Sequence, residues 1–196
     1  MWHGVKDQEL QQKRSKEAEQ ALEKFDDNMV LSLKNIREGR YYTILTSTFV
    51  HTSPVHLFVN MMTLWSFGRT FIYVYGLPTF ALVYAGAGIA GGALQLYAWS
   101  KSEPQIFHRG MGASGSLLGV LAAWAIVMPR EPIQMFFIPM KLGPAMGGFA
   151  VASVAFIYTG ALPFIGHWDH LGGMAFGAFW WLVALRRGVR FRGGKR

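Results

Sequence analysis

Apolar and polar residues separate along this chain into a charged beginning, a long apolar middle and a basic end. Residues 5–27 (VKDQELQQKRSKEAEQALEKFDD) carry few apolar positions among good helix formers, and Glu9 and Lys13 stand in the favourable i, i+4 order. A polar N-terminal helix or arm is expected over 1–27. Residues 28–50 alternate apolar and polar groups without enough continuous apolar length to span a bilayer. Tyr41 and Tyr42 suit a water–lipid boundary, so 28–50 reads as an interfacial loop or helix.

Five apolar segments follow, at 54–68, 78–99, 112–128, 144–165 and 167–185. Three open on or next to a proline (Pro54, Pro78 and Pro144), which the first helical turn tolerates because its N–H has no partner there. Arg69 closes the first segment, Pro129 and Pro132 the third, and Arg186 and Arg187 the last. Several fall below the ~20 residues that usually span, as expected of helices bordering a water-filled cavity. The pattern predicts an all-α polytopic membrane bundle with five visible transmembrane helices over 51–185, followed by a basic tail at 186–196. Glycines recur at four-residue spacing in Gly88/Gly92, Gly115/Gly119, Gly143/Gly147 and Gly173/Gly177, a pattern that lets helices pack closely in lipid.

Composition sharpens this picture. Of 196 residues 52% are hydrophobic and 15% charged, against roughly 25% charged in soluble domains. Residues 1–40 hold eight basic and eight acidic side chains, whereas 41–185 hold five basic and three acidic ones. The net charge of +8 is therefore largely a property of the tail. Basic residues directly after an apolar helix are a topology signal, with lipid head groups as further partners, and no aromatic-rich polar surface accompanies them as nucleic-acid binding would require. The absence of cysteine excludes disulfides, thiolate metal sites and a cysteine nucleophile.

Polar residues inside the apolar segments carry the candidate chemistry. Ser114 heads one helix in Gly112-Ala113-Ser114-Gly115, and His170 lies near the start of the last. Both are costly in lipid unless water reaches them. His170, Gly173 and Gly177 follow an i, i+3, i+7 pattern, with Gly166 one turn earlier, so the histidine faces whatever packs on the glycines. Gly115 and Gly119 offer the matching flat surface, which would bring the Ser114 hydroxyl to the His170 ring. His56 and Asn60 share a face of the first apolar helix, and both can donate hydrogen bonds to an oxyanion. Asp169 is adjacent to His170 on a helix and so faces elsewhere; it reads as a solvated helix-end carboxylate rather than a third catalytic member. His167 reads as a cavity-lining or interfacial residue, and Gln95 and Trp99 as packing or boundary residues. A zinc site drawn from His51, His56, His167 and His170 finds no support in an HExxH or cysteine pattern.

Together, His51-x4-His56-x3-Asn60, Gly112-x-Ser114-Gly115 and Gly166-x3-His170-x2-Gly173-x3-Gly177 resemble the rhomboid family of intramembrane serine proteases over roughly 40–185. The stretches GRYYTILTSTFVH, HLFVNMMTLWSFG and HLGGMAFG are most similar to its mitochondrial, presenilin-associated rhomboid-like branch, which acts in the inner membrane. The resemblance implies Ser114 as nucleophile and His170 as general base in a dyad without an acid. It assigns His56, Asn60 and a backbone N–H near Ser114 to the oxyanion hole, with His51, Gly112, Gly115, Gly173 and Gly177 supporting the site. The implied substrates are single-span transmembrane proteins, cut through an acyl-enzyme with no cofactor or metal. Three departures stand out. Tyr42 and Thr43 occupy the place of a Trp-Arg pair, and Leu118 replaces a tyrosine that stacks on the catalytic histidine. The family's first core helix is expected to be missing from 1–40, which reads as too polar to span. The alternative expectation is an inactive or truncated rhomboid-like protein that binds and escorts transmembrane helices.

Overall fold

In a computed structural model of the chain, residues 2–102, 108–135 and 138–185 are described. The basic tail expected at 186–196 lies outside them. The protein is mostly helical. Helix α1 (Trp2–Met29) leads into a compact polar segment with two short helices, α2 (Leu33–Arg37) and α3 (Thr43–Thr46), and a 3₁₀ turn over Ser47–Phe49. Asn35 is the fastener of this segment. Buried, it donates from Nδ2 to the Asp26 and Val30 carbonyls at 3.0 and 2.7 Å, and its Oδ1 accepts from Arg40 Nε at 3.3 Å. Leu31 and Gly110 exchange backbone hydrogen bonds of 3.0 and 2.8 Å, and Arg109 pairs with Asp26. These links tie the end of α1 to the segment leading into Ser114.

The apolar middle forms α4 (Pro54–Thr63), α5 (Arg69–Tyr75), α6 (Leu77–Ser100), α7 (Ser114–Val127), α8 (Leu142–Thr159) and α9 (His167–Trp180). By length and mean hydropathy (1.5 and 1.4), α6 and α8 can each cross a membrane, while α7 is a shorter apolar helix. Ser53 caps α4, its hydroxyl accepting from the His56 N–H at 3.1 Å ahead of Pro54 in the first turn. The first apolar segment does not end near Gly68 as its charge pattern predicts. A π-helical turn over Leu64–Gly68 carries it into α5, and the helix breaks only at Gly76, whose φ of 85° admits glycine far more readily than other residues. The Arg69 guanidinium lies over the Trp65 ring, 4.4 Å from its centroid, so the charge is accommodated rather than acting as a stop. The continuous run over 54–75 extends about 33 Å at a helical rise of ~1.5 Å per residue.

Two further expectations change. The segment placed at 144–165 ends as a helix at Thr159, where Gly160 adopts the left-handed conformation that terminates helices. The architecture is also not purely α, because Pro132–Met135 pairs antiparallel with Ile138–Lys141. Pro132 reads as a helix stop, yet at the end of a two-stranded hairpin its missing N–H is tolerated.

Small residues line the closest helix contacts, and many large apolar side chains face outward. α9 wedges between α6 and α7, and its consecutive glycines serve both sides. A Cβ on Gly172 would lie 2.8 Å from the Ala90 carbonyl oxygen of α6, and one on Gly173 would meet the Gly115 carbonyl oxygen of α7. Meanwhile Val55, Phe58, Trp65, Val151 and Tyr158 stand at the surface. In water that distribution would waste hydrophobic burial; in lipid it is what packing by dispersion favours. The large apolar core (Phe71, Val83, Val120, Leu121, Trp124, Leu142 and Met146) gathers toward the C-terminal half of α7. Buried polar side chains, Asn60, Gln95, Ser116, His167 and His170 among them, gather toward its N-terminal end.

Candidate active site

Ser114 is the first residue of α7, and the turn before it depends on Gly112. With φ of 132° this glycine holds a backbone conformation that side chains resist, and its N–H donates to the Ser47 carbonyl at 2.9 Å. The turn thereby presents the Ser114 hydroxyl at the end of a buried helix.

His170 reaches the hydroxyl from α9: its Nε2 lies 2.8 Å from Ser114 Oγ. The glycine stripes account for this approach. Cβ atoms on Gly173 and Gly177 would collide with the carbonyl oxygens of Gly115 and Gly119, and one on Gly119 would stand 2.7 Å from the Gly173 carbonyl oxygen. Only glycine at these positions lets α7 and α9 come so close. Gly166 does not join this stripe: a Cβ there would rest 3.4 Å from the Asp169 Cβ and 3.5 Å from Gln95 Oε1. The imidazole is buried at 8% exposure, and its Nδ1 has no hydrogen-bond partner among the described residues. Its ring packs instead against Phe149 of α8, with centroids 5.6 Å apart. Leu118, at the position where the family places a stacking tyrosine, packs against the apolar core.

His56 lies on the other side of the Gly112 turn. A Cβ on Gly112 would fall 2.9 Å from His56 Nε2 and 3.7 Å from Ser114 Oγ, so imidazole and hydroxyl flank one small space. His56 Nδ1 sits 3.1 Å from Thr52 Oγ1. With the threonine hydroxyl donating there, Nε2 carries the hydrogen and points toward the turn. Asn60 is buried one turn below, where Nδ2 donates to the His56 carbonyl at 2.9 Å and keeps a second N–H. His51 leans edge-on against His56 at 5.1 Å between centroids. Burial, then the neighbouring His56, hold the His51 pKa below its ordinary value.

The four histidines form two pairs, His51 with His56 and His167 with His170, and among the described residues no three His, Asp or Glu side chains converge on a metal position. His167 is buried against Phe156, with neither ring nitrogen paired among the described residues.

One expectation fails outright. Asp169 is not a solvated helix-end carboxylate. Its side chain is packed against Gly91 of α6 and Gly115 of α7, and its own N–H donates to the buried Gln95 Oε1 at 3.2 Å. The rule that adjacent helical residues face apart holds, since the carboxylate does not reach His170 Nδ1. It says nothing about a neighbouring helix that begins just where the carboxylate points. Phe149 was also missed: nothing in an apolar α8 marks one ring as the cover of a histidine 21 positions further along the chain on another element.

Chemically, this arrangement joins a hydroxyl, a base within hydrogen-bond range, and two side-chain donors beside a helix N-terminus, where backbone N–H groups and the dipole favour negative charge. Comparison with known proteins places the chain in a family. A model of the rhomboid domain matches residues 38–187. Rhomboid protein 1, mitochondrial, of Saccharomyces cerevisiae is 34% identical over 146 residues, covering 72% of this chain and 42% of that protein. The human presenilin-associated rhomboid-like protein, mitochondrial, is 32% identical over 140 residues, 70% of this chain and 36% of that one. RHOMBOID-like protein 12, mitochondrial, of Arabidopsis thaliana is 32% identical over 182 residues, covering 85% and 52%. This chain therefore spans between about a third and about half the length of these relatives. It belongs to the rhomboid family, on the branch of the mitochondrial rhomboids, and is an integral protein of a mitochondrial membrane.

Proposed function

We propose that the chain is an intramembrane serine protease that cuts a peptide bond in or beside the transmembrane segment of a single-span protein of the mitochondrial inner membrane. The observation that carries this reading is the 2.8 Å separation of Ser114 Oγ and His170 Nε2. The helical run over 54–75 with α6, α7, α8 and α9 would provide five spans, α7 being short because its N-terminus ends in a hydrated pocket.

Ser114 Oγ attacks the carbonyl carbon as His170 Nε2 takes its proton, and the oxyanion forms beside the α7 N-terminus. The His56 Nε2–H, the spare Asn60 N–H and the backbone amide near Ser114 stabilise that charge. His170 returns the proton to the leaving amine, leaving Ser114 acylated. Water then attacks the ester with His170 as base, and collapse releases the acid and restores the hydroxyl. A transmembrane helix keeps its carbonyls hydrogen-bonded, so substrates should carry small or helix-breaking residues that open a turn near the cut.

The test is covalent labelling of the purified protein by a fluorophosphonate. Wild type takes the label, and Ser114→Ala and His170→Ala do not. Asn60→Ala and His56→Ala lower cleavage of a single-span substrate by about 10²–10³, the usual cost of one oxyanion donor. A folded wild type that ignores the probe sinks the protease reading and favours a protein that binds and escorts transmembrane helices.

A further inference from the structure

Resting on the protease reading above, we propose that Asp169 is a positioning residue. Its carboxylate caps the N-terminus of α7 from α9 and so sets the distance between Ser114 and His170.

Helix α7 lacks a cap of its own. Its N-cap residue is Ala113, which offers no side-chain acceptor, so the first N–H groups of a 14-residue buried helix need partners from elsewhere. The Asp169 carboxylate lies where such a cap would be needed. A Cβ built on Gly115 would collide with Oδ2 and fall 2.8 Å from Oδ1, so the carboxylate lies directly against the Gly115 main chain. Gly115 follows the N1 residue Ser114, and the N2 amide is one that an N-cap side chain normally accepts from. On the opposite side a Cβ on Gly91 would stand 2.5 Å from both Asp169 Oδ1 and its main-chain oxygen. Two glycines on two helices thus leave a slot of carboxylate size. The Gln95 Oε1, accepting the Asp169 N–H at 3.2 Å, fixes the main chain that enters it.

The connection runs parallel to the dyad. Ser114 and Gly115 are consecutive on α7, and Asp169 and His170 are consecutive on α9. The hydroxyl–imidazole contact and the amide–carboxylate contact therefore bridge the same two helices one residue apart. Any slip of α7 along α9 that lengthens the first must break the second. Asp169 does not act as a third catalytic member, because its oxygens are directed at Gly91 and Gly115 while His170 Nδ1 is unpartnered among the described residues.

The experiment measures the concentration dependence of fluorophosphonate labelling in proteoliposomes, which separates the maximal labelling rate from the half-saturating concentration. Asp169→Ala is expected to lower the maximal rate about tenfold or more, with half-saturation within about threefold, because reactivity rather than probe binding depends on the alignment. Asp169→Asn keeps a carbonyl acceptor and should stay within about threefold of wild type, as Asn and Asp cap equally well. Gly115→Ala displaces the carboxylate and should match Asp169→Ala, while the double variant should be no slower than either alone, since the two changes break one contact. Should Asp169→Ala fail to fold, Asp169→Asn and Gly115→Ala decide the matter by the same expectations. Wild-type labelling rates in Asp169→Ala or Gly115→Ala overturn the proposal, as does an Asp169→Asn variant as slow as Asp169→Ala. A wild type that takes no label removes the protease reading itself, and the proposal with it.

Discussion

The same motif has opposite surroundings in two parts of this molecule. On α7 and α9 the glycine pairs Gly115/Gly119 and Gly173/Gly177 lie against one another, so that a Cβ added at Gly119, Gly173 or Gly177 would meet a facing carbonyl oxygen, and one at Gly115 the Asp169 carboxylate. On α8 the pair Gly143/Gly147 has no helix against it among the described residues. Gly143 packs on the Pro129 turn, and around Gly147, like Gly148 beside it, there is open space. The expectation that all four spaced pairs mark helix–helix packing is therefore wrong for α8. Spacing produces a flat stripe on any helix, but whether a neighbour lies on that stripe depends on where the chain returns. α7 is enclosed by α6 and α9, whereas α8 is buried mainly at its first turn through Leu142, Ala145 and Met146. Rigid alignment and close glycine contact coincide where the dyad lies; α8 supplies a covering ring, Phe149, without the same constraint.

The largest effect should come from filling the tight contact. Gly177→Ala drives a methyl into the Gly119 carbonyl, and neither backbone can yield without separating α7 from α9. Overpacking of this kind should cost about 3 kcal/mol, at the upper end of the usual range. The thermal midpoint of the protein in detergent should fall, and fluorophosphonate labelling of Ser114 should be lost with it. An unchanged midpoint would remove the distinction drawn between the two helix pairs.

Gly143→Ala should do less. Its Cβ would fall 2.9 Å from the Pro129 Cβ and 3.0 Å from the Pro129 carbonyl oxygen, a crowding that a turn can relieve by shifting. We expect a loss of about 1 kcal/mol in the same melting experiment, the lower end of overpacking. Labelling should persist, because the crowded turn joins α7 to the hairpin at the end opposite Ser114.

Phe149→Leu tests the aromatic link from α8 to the dyad. The ring lies 5.6 Å from His170 at an interplanar angle of 47°, so leucine keeps the cover but loses the aromatic contact. An aromatic pair contributes about 0.5–1.5 kcal/mol beyond its area, which predicts a fall in labelling rate of about two- to tenfold with a small change in midpoint. A loss as complete as that of His170→Ala would mean that α8 positions the base as firmly as α7 does.

These differences also mark how far the sequence was legible. The approach of Ser114 to His170 follows from local periodicity, because i, i+3, i+7 glycines put one histidine on a face that only another glycine face can meet. The continuation through Arg69 was not readable, since a charge at the end of an apolar run looks like a stop until an aromatic ring four residues earlier is known to cover it. Asp169 shows the limit more sharply. Helical phase correctly turns it away from His170, yet its partner Gly115 lies 54 positions earlier in the chain, and no local rule connects them. The family likeness marks the dyad and its glycines, but not Phe149, whose role comes from the course of α8 past the site.

The smallest expected effect has the opposite sign from the largest. Gly147→Ala adds a methyl where no atom lies within 4 Å, so the packing cost that dominates at Gly177 is absent. What remains is helix propensity, in which alanine exceeds glycine by up to about 1 kcal/mol because it restricts the unfolded chain. The thermal midpoint in detergent should therefore stay level or rise slightly, with labelling of Ser114 unchanged. The pairing with Gly177→Ala matters more than either result alone: one chemical change in two four-residue glycine repeats should move stability in opposite directions. A marked fall for Gly147→Ala would require a neighbour on that face of α8, and the contrast between an enclosed α7 and a peripheral α8 would fail.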